Sequence, residues 1–213
     1  MAHSISPLMH NEAFRLLELD YVYLCFDVNE ETLPTAVAGL RTCGIRGFNL
    51  TMPNKNKIVE LLDELSPEAQ LIGAVNTVLN DNGKLIGYNT DGYGFMQSVR
   101  DAGHDVTNKN ITVMGVGGAS MAICAQSALD GASSVHIFAR RTSRYWNRTQ
   151  KFAENLNSQN RMPSSVLFDN DDHTALKDSI AQSYLLINAT SVGMFLILTI
   201  RSSKTHLCSV RDL

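Results

Sequence analysis

From residue 110 to residue 189, apolar runs of strand length alternate with helical patterns, and this alternation limits the chain more than any other feature. Strands are predicted at 110–114, 134–139, 166–169 and 184–189, with helices at 121–129, 145–155 and 175–181. Such a series closes into a parallel sheet with right-handed crossovers, since each strand must return in the same direction over a covering helix. Between the first strand and its helix stands Gly115-Val116-Gly117-Gly118-Ala119-Ser120. This is the place a dinucleotide fingerprint occupies, with Gly115 permitting the tight turn and Gly117 letting backbone approach a pyrophosphate. Ser120 takes the third glycine's position, so the match is imperfect, but helix N-terminal amides still face the phosphates. The next strand ends in Ala139-Arg140-Arg141-Thr142. A carboxylate there would hold an NAD ribose; guanidinium groups pair instead with a 2′-phosphate, which favours NADP, with NAD as the alternative. Read blandly, Arg140 and Arg141 are a solvated basic pair.

The first half is organised around Gly73 to Gly94. Alternation over Val75, Thr77 and Leu79, the Asn82-Gly83 dipeptide and Leu85-Ile86 predict a two-residue hairpin. Asn76 and Asp91 lie at its ends, where an amide and a carboxylate can grip a hydroxyl-rich ligand. Locally, Asp91 reads as well as a helix cap. Upstream, Ser6 is predicted to cap a helix with Pro7 at its first position and an apolar face of Leu8, Phe14, Leu16, Leu17 and Leu19. A strand follows at 21–28, a helix at 33–43, a strand at 46–50, a helix ending near residue 62, a short helix at 66–72 and a helix at 91–102. Lys55 falls near a helix N-terminus, where the dipole disfavours a cation; that placement hints at use, against the plain reading of a surface lysine.

A net charge of -3 and a pI near 6.0 leave no basic excess to neutralise phosphates, which argues against nucleic acid as a partner. Cys25, Cys43, Cys124 and Cys208 are widely spaced and read as apolar fillers in a reducing compartment. The histidines have no partners at ligand spacing, so no metal is expected. No signal peptide opens the chain, and its longest apolar run, 194–200, is too short to span a bilayer; a cytoplasmic protein without a membrane partner is expected.

Six motifs occur in the order seen in shikimate dehydrogenases: His3 to Pro7, Asn49 to Lys55, Gly73 to Thr77, Asn89 to Gly92, Gly115 to Ala119, and Asn188 to Met194. The chain resembles that family over nearly all its length, and its Met-Pro-Asn-Lys form looks most like the quinate/shikimate branch. The resemblance implies an α/β protein of two domains: an N-terminal α/β substrate domain and an incomplete Rossmann-like, parallel-sheet NADP-binding domain. It implies reversible reduction of 3-dehydroshikimate to shikimate, a step of aromatic amino-acid biosynthesis. Ser4 and Ser6 would hold the substrate carboxylate, and Thr51, Lys55, Asn76 and Asp91 its ring hydroxyls, with Lys55 and Asp91 as the catalytic pair. Gly115, Val116, Gly117, Gly118, Ala119, Ala139, Arg140, Arg141, Thr142 and Ser191 would contact the cofactor. These types suit the chemistry: reduction of a ketone builds negative charge on oxygen, which an ammonium can stabilise and protonate while a carboxylate keeps it charged. Six ordered motifs outweigh the bland local readings of Lys55 and Asp91.

The expected division is 1–92 for the substrate domain, 93–194 for the cofactor domain and 195–213 for an atypical tail. Both ends depart from the pattern. An opening apolar strand, a late glutamine-bearing helix and further strands of the cofactor sheet are expected in the family and have no counterpart here. The expectation is a truncated or frame-shifted chain with little activity and poor solubility. Competing readings are a quinate-preferring enzyme using NAD and a non-catalytic ligand-binding remnant; a homodimer is a further expectation. Methylene-tetrahydrofolate dehydrogenases share the cofactor half but lack the Ser-x-Ser-Pro opening.

Overall fold

A computed structural model of the chain describes residues 4–158, 164–190, 192 and 206–209. Helix α1 (Ser6–Leu16) leads through an irregular segment to α2 (Leu33–Thr42). Then come β1 (Gly47–Asn49), the single turn α3 (Asn54–Lys57) prolonged by a 3-10 turn (Ile58–Leu61), β2 (Glu64–Leu65) and α4 (Pro67–Ile72). The hairpin β3 (Thr77–Asp81) and β4 (Lys84–Tyr88) completes a mixed sheet in the order β1-β3-β4-β2, parallel only between β2 and β4. Its turn forms as expected, with Asn80 Oδ1 accepting the Gly83 N–H at 2.7 Å.

Helix α5 (Asp91–Asp101) carries the chain into the second unit. There β5 (Asn110–Met114), α6 (Gly118–Leu129), β6 (Ser134–Ala139), α7 (Trp146–Ser158), β7 (Ser165–Asp169), α8 (His173–Gln182) and β8 (Leu185–Asn188) alternate as predicted. The sheet runs β7-β6-β5-β8-β9, all parallel; β9 (His206–Ser209) comes from the tail, which was expected to add no strand to this sheet and instead pairs with β8. This α/β architecture is the one the alternating pattern called for. Helix α6 is buried nearly all round, which explains its run of Ala, Ser, Cys and Gly: it packs on α4, α5 and α7 as well as on the sheet.

Two cores form. Leu33, Val37, Ile58, Ala69, Val75, Val78 and Leu85 fill the first. Ile111, Val113, Val135, Ile137, Leu185 and Ile187 centre the second, which also takes in Ile72 and Ala74. The loop leading to Asn76 is therefore clamped between both cores. Arg148 of α7 adds a hydrogen bond to the Ile72 carbonyl at 3.1 Å.

Four further expectations need correction. Residues 21–28 do not form a strand. Side chains satisfy their backbone instead: Asn11 accepts the Tyr23 N–H at 2.7 Å and donates to the Tyr23 carbonyl at 3.0 Å, and Asn54 donates to the Val28 carbonyl at 2.7 Å. Strand preference is a preference for a ladder, and no ladder partner adjoins this segment among the described residues. Ser6 does not cap α1 but is its first residue, with Ile5 at the cap position. Leu8, Met9 and Leu16 of α1 are exposed; its packing comes from His10 stacked on Tyr23 at 4.5 Å and half-buried Phe14 against Tyr21 at 5.6 Å. Of the cysteines, Cys124 is a buried filler whose thiol is pushed up to about 12 by burial, whereas Cys25 and Cys43 are exposed.

Candidate active site

Lys55 and Asp91, 36 residues apart, meet at the strand ends of the first sheet: Lys55 Nζ lies 2.6 Å from Asp91 Oδ2. Each is placed by its own element. The Lys55 carbonyl accepts the Val75 N–H at 2.8 Å, which pins α3 to the segment before β3. Asp91 is the first residue of α5; Thr90, not Asp91, stands at the cap position. The Asp91 N–H is held at 3.2 Å by the side-chain carbonyl of Asn89, a buried residue whose amide donates to the Ala74 carbonyl at 3.1 Å.

Asn76 completes the cluster. Its Nδ2 donates to Asp91 Oδ1 at 2.7 Å and to Thr90 Oγ1 at 3.0 Å, while its Oδ1 accepts the Thr90 N–H and the Thr77 hydroxyl, both at 3.0 Å. Both oxygens of Asp91 are thus engaged, one by a cation and one by an amide. Lys55 is 22% exposed and Asp91 38%, so the pair borders solvent and a ligand can reach it. An ammonium oriented this way can stabilise negative charge growing on a carbonyl oxygen and release a proton to it. The dipole argument for Lys55 loses its force, because α3 is a single turn.

Ser4, Ser6 and Thr51 do not touch the pair. With Asn49 and Asn54 they line an adjoining cleft of about 650 Å³, whose other walls are the apolar side chains of 22–28, α2 and β1. Ser4 Oγ accepts the Ser6 N–H at 3.4 Å. The tight turn in which the Thr51 carbonyl accepts the Asn54 N–H at 3.0 Å joins this cleft to Lys55.

The glycine turn lies where β5 meets α6. Gly115 has φ +112, and a Cβ there would stand 2.9 Å from the Ala189 carbonyl oxygen, so glycine is required both for conformation and for space. A Cβ at Gly117 or Gly118 would meet no protein atom within 4 Å, which leaves room for a pyrophosphate over the α6 N-terminus. Val116 is buried and Ala119 exposed. Ser120, the apparent flaw in the fingerprint, is fully buried and donates to the Gly115 carbonyl at 2.6 Å, so its hydroxyl braces the turn. Ala139 ends β6; Arg140, Arg141 and Thr142 follow it, exposed at the same sheet edge as the turn. Neither arginine is paired with a carboxylate among the described residues, and Arg141 lies over the Trp146 ring at 5.6 Å. These groups fit a 2′-phosphorylated dinucleotide. Ser191 lies outside the described residues, as do His3, Gly193, Met194 and the apolar run 195–200.

Residue order assigns no role to Asn89, Thr90 or Asn54, and to Ser120 only that of a mismatch to the fingerprint. Asn89 and Thr90 adjoin Asp91 in a quoted motif, so adjacency was their signal. Asn54 adjoins Lys55 in the same way; it is 9% exposed and its Oδ1 is without a hydrogen-bond partner beside the cleft.

Residues 1–78 match the family described as the shikimate dehydrogenase substrate binding domain. The chain is 50% identical over 192 residues to the shikimate dehydrogenase (NADP(+)) of Listeria monocytogenes serotype 4b (strain F2365), covering 90% of this chain and 65% of that protein. It is 52% identical over 194 residues to the enzyme of the same name from Streptococcus pyogenes serotype M49 (strain NZ131), covering 90% and 66%. The crystal structure of shikimate 5-dehydrogenase from Listeria monocytogenes with shikimate and NAD superposes with a TM-score of 0.88 at 48% identity, covering 92% of this chain and 67% of that one. The chain spans about 65% of the length of the curated relatives it matches.

Proposed function

The chain belongs to the shikimate dehydrogenase family, and from that premise we propose that it is an NADP-dependent oxidoreductase interconverting 3-dehydroshikimate and shikimate. The observation that carries the reading is the Lys55–Asp91 ion pair braced by Asn76. In this reading Lys55 Nζ stabilises the carbonyl oxygen as it becomes an alkoxide and delivers its proton, while Asp91 keeps the ammonium charged and aimed. Ser4 and Ser6 hold the substrate carboxylate; Thr51 and Asn76 hold ring hydroxyls. NADPH, when bound, supplies the hydride, with its pyrophosphate on Gly115 to Ala119 and its 2′-phosphate on Arg140, Arg141 and Thr142 next to Ala139. Residues 1–92 serve as the substrate domain and 93–194 as the cofactor domain, whose sheet is extended by β9 from the tail.

We take quinate as the competing substrate, NAD as the competing cofactor, the cytoplasm as the setting and a homodimer as the assembly. The apolar surface around α1 supports self-association. A second reading, ligand binding without turnover, draws support from the open apolar cleft that Ser4 and Ser6 border.

The test is the purified 213-residue chain assayed for shikimate-dependent reduction of NADP, beside Lys55→Met. Detectable but low turnover in the native sequence and a kcat lower by about 100-fold or more in the variant, with KM moved far less, are expected. Binding of both ligands without turnover selects the second reading. Equal rates in the two chains reject the assignment of Lys55.

A further inference from the structure

We propose that Gly92 is a positioning residue: its contact with the α6 backbone sets how far the Lys55–Asp91 pair stands from the dinucleotide turn. The inference rests on the function proposed above and deepens it. Helix α5 begins with Asp91 and buries Gly92, Phe95, Met96 and Val99, an i, i+3, i+4, i+7 face that packs on α6. At the Asp91 end the two backbones come close. A Cβ on Gly92 would stand 2.2 Å from the Ala122 carbonyl oxygen, 2.8 Å from its carbon and 3.0 Å from Gln126 Cβ. Ala122 lies one turn into α6, the helix that grows out of Gly115 to Gly118. A helical backbone cannot move aside as a flexible side chain can, so any side chain at residue 92 must push the helices apart.

The far end of the crossing is tied. Arg100 Nη1 meets Asp130 Oδ2 at 2.8 Å, and Ser127 Oγ reaches Met96 Sδ at 3.6 Å. A wedge at residue 92 therefore swings α5 about that end, and Asp91 moves most. Asp91 is in turn fastened to Lys55 and Asn76 in the first unit. Pair and first unit shift together, or the pair stretches; in both cases the reacting groups lose their distance from the cofactor helix. Gly94 supplies the control. It lies in the same helix, and a Cβ there meets nothing within 4 Å.

Gly92→Ala and Gly94→Ala are compared in the full chain, below both melting temperatures. Gly94→Ala is expected to match the parent. Gly92→Ala is expected to bind NADPH and shikimate singly within about threefold of the parent while its kcat falls by about 100-fold, the scale of a 1 Å misplacement. A general loss of structure would weaken both affinities as well, so the split separates positioning from stability. Equal kcat values in the two variants overturn the inference, as does a loss carried entirely by weaker binding. A parent chain without turnover refutes the functional reading instead. The inference is then read from the factor by which shikimate tightens NADPH binding: its loss in Gly92→Ala alone supports it, and its persistence there, or its absence in the parent, overturns it.

Discussion

Asn76 shows how one side chain can be legible as functional and still carry a further task that residue order does not reveal. The resemblance implies contact with a substrate hydroxyl. In the folded chain both of its N–H donors are already engaged, by Asp91 and Thr90, and its oxygen accepts from Thr77 and Thr90. A primary amide has two donors and one carbonyl oxygen, so Asn76 is close to saturated and its first task is to hold Asp91. It is 8% exposed, so removing it strands partners that water reaches poorly. Asn76→Ala is expected to cost about 1–3 kcal/mol in urea unfolding at neutral pH. Asn76→Asp should cost more, because it places a second carboxylate where an amide now touches Asp91 Oδ1. Unfolding midpoints equal to the parent's in both variants would remove Asn76 from the brace.

Between elements, the parallel sheet carries a pH-dependent contact. His136 on β6 faces Ser179 of α8, with 2.9 Å between Nδ1 and Oγ, and its ring meets Phe168 of β7 edge-on at 5.5 Å. Burial holds its pKa below the ordinary value of 6.5. The folded chain therefore binds this proton less readily than the unfolded chain. Its contribution to stability is intact above about pH 6.5 and is lost as pH falls through the folded value. The melting temperature should drop on mild acidification, and His136→Gln, which keeps a hydrogen-bonding group near Ser179, should flatten that part of the profile. A parallel profile in the variant would assign the acid response to other groups. The same sheet shows why strands here were predictable where 21–28 was not: β5, β6 and β8 each have neighbours on both sides.

Taken whole, the molecule divides its apolar surface unevenly. The second unit buries β5, β6 and β8 on both faces, whereas the first leaves Val22, Leu24 and Phe26 more than half exposed around the 650 Å³ cleft, and Leu8 and Leu16 exposed on α1. Contiguous apolar surface of this kind drives association and binds apolar dyes. The chain is expected to enhance the fluorescence of an anilinonaphthalene dye and to self-associate as concentration rises. Leu8→Lys with Leu16→Lys should reduce both without changing circular dichroism. A monomeric parent that leaves the dye dark would contradict this.

The pairing of Lys55 with Asp91 was implied only by the family resemblance, whereas the alternation of strands and helices, the glycine turn and the basic strand end were readable from residue order. Each depends on local periodicity or on a short motif, and local preferences survive folding when every level agrees. Ser120 bracing the turn, Asn89 and Thr90 bracing Asp91, and the failure of 21–28 to become a strand follow instead from which segments end up as neighbours. Gly92 makes the difference plainest. In the linear chain it is one of two glycines in a helix; in the folded one it lies against the carbonyl of Ala122 while Gly94 faces open space. Residue order carries chemical type and period, but separation between distant segments exists only once the helices are packed, because packing is what brings backbone against backbone.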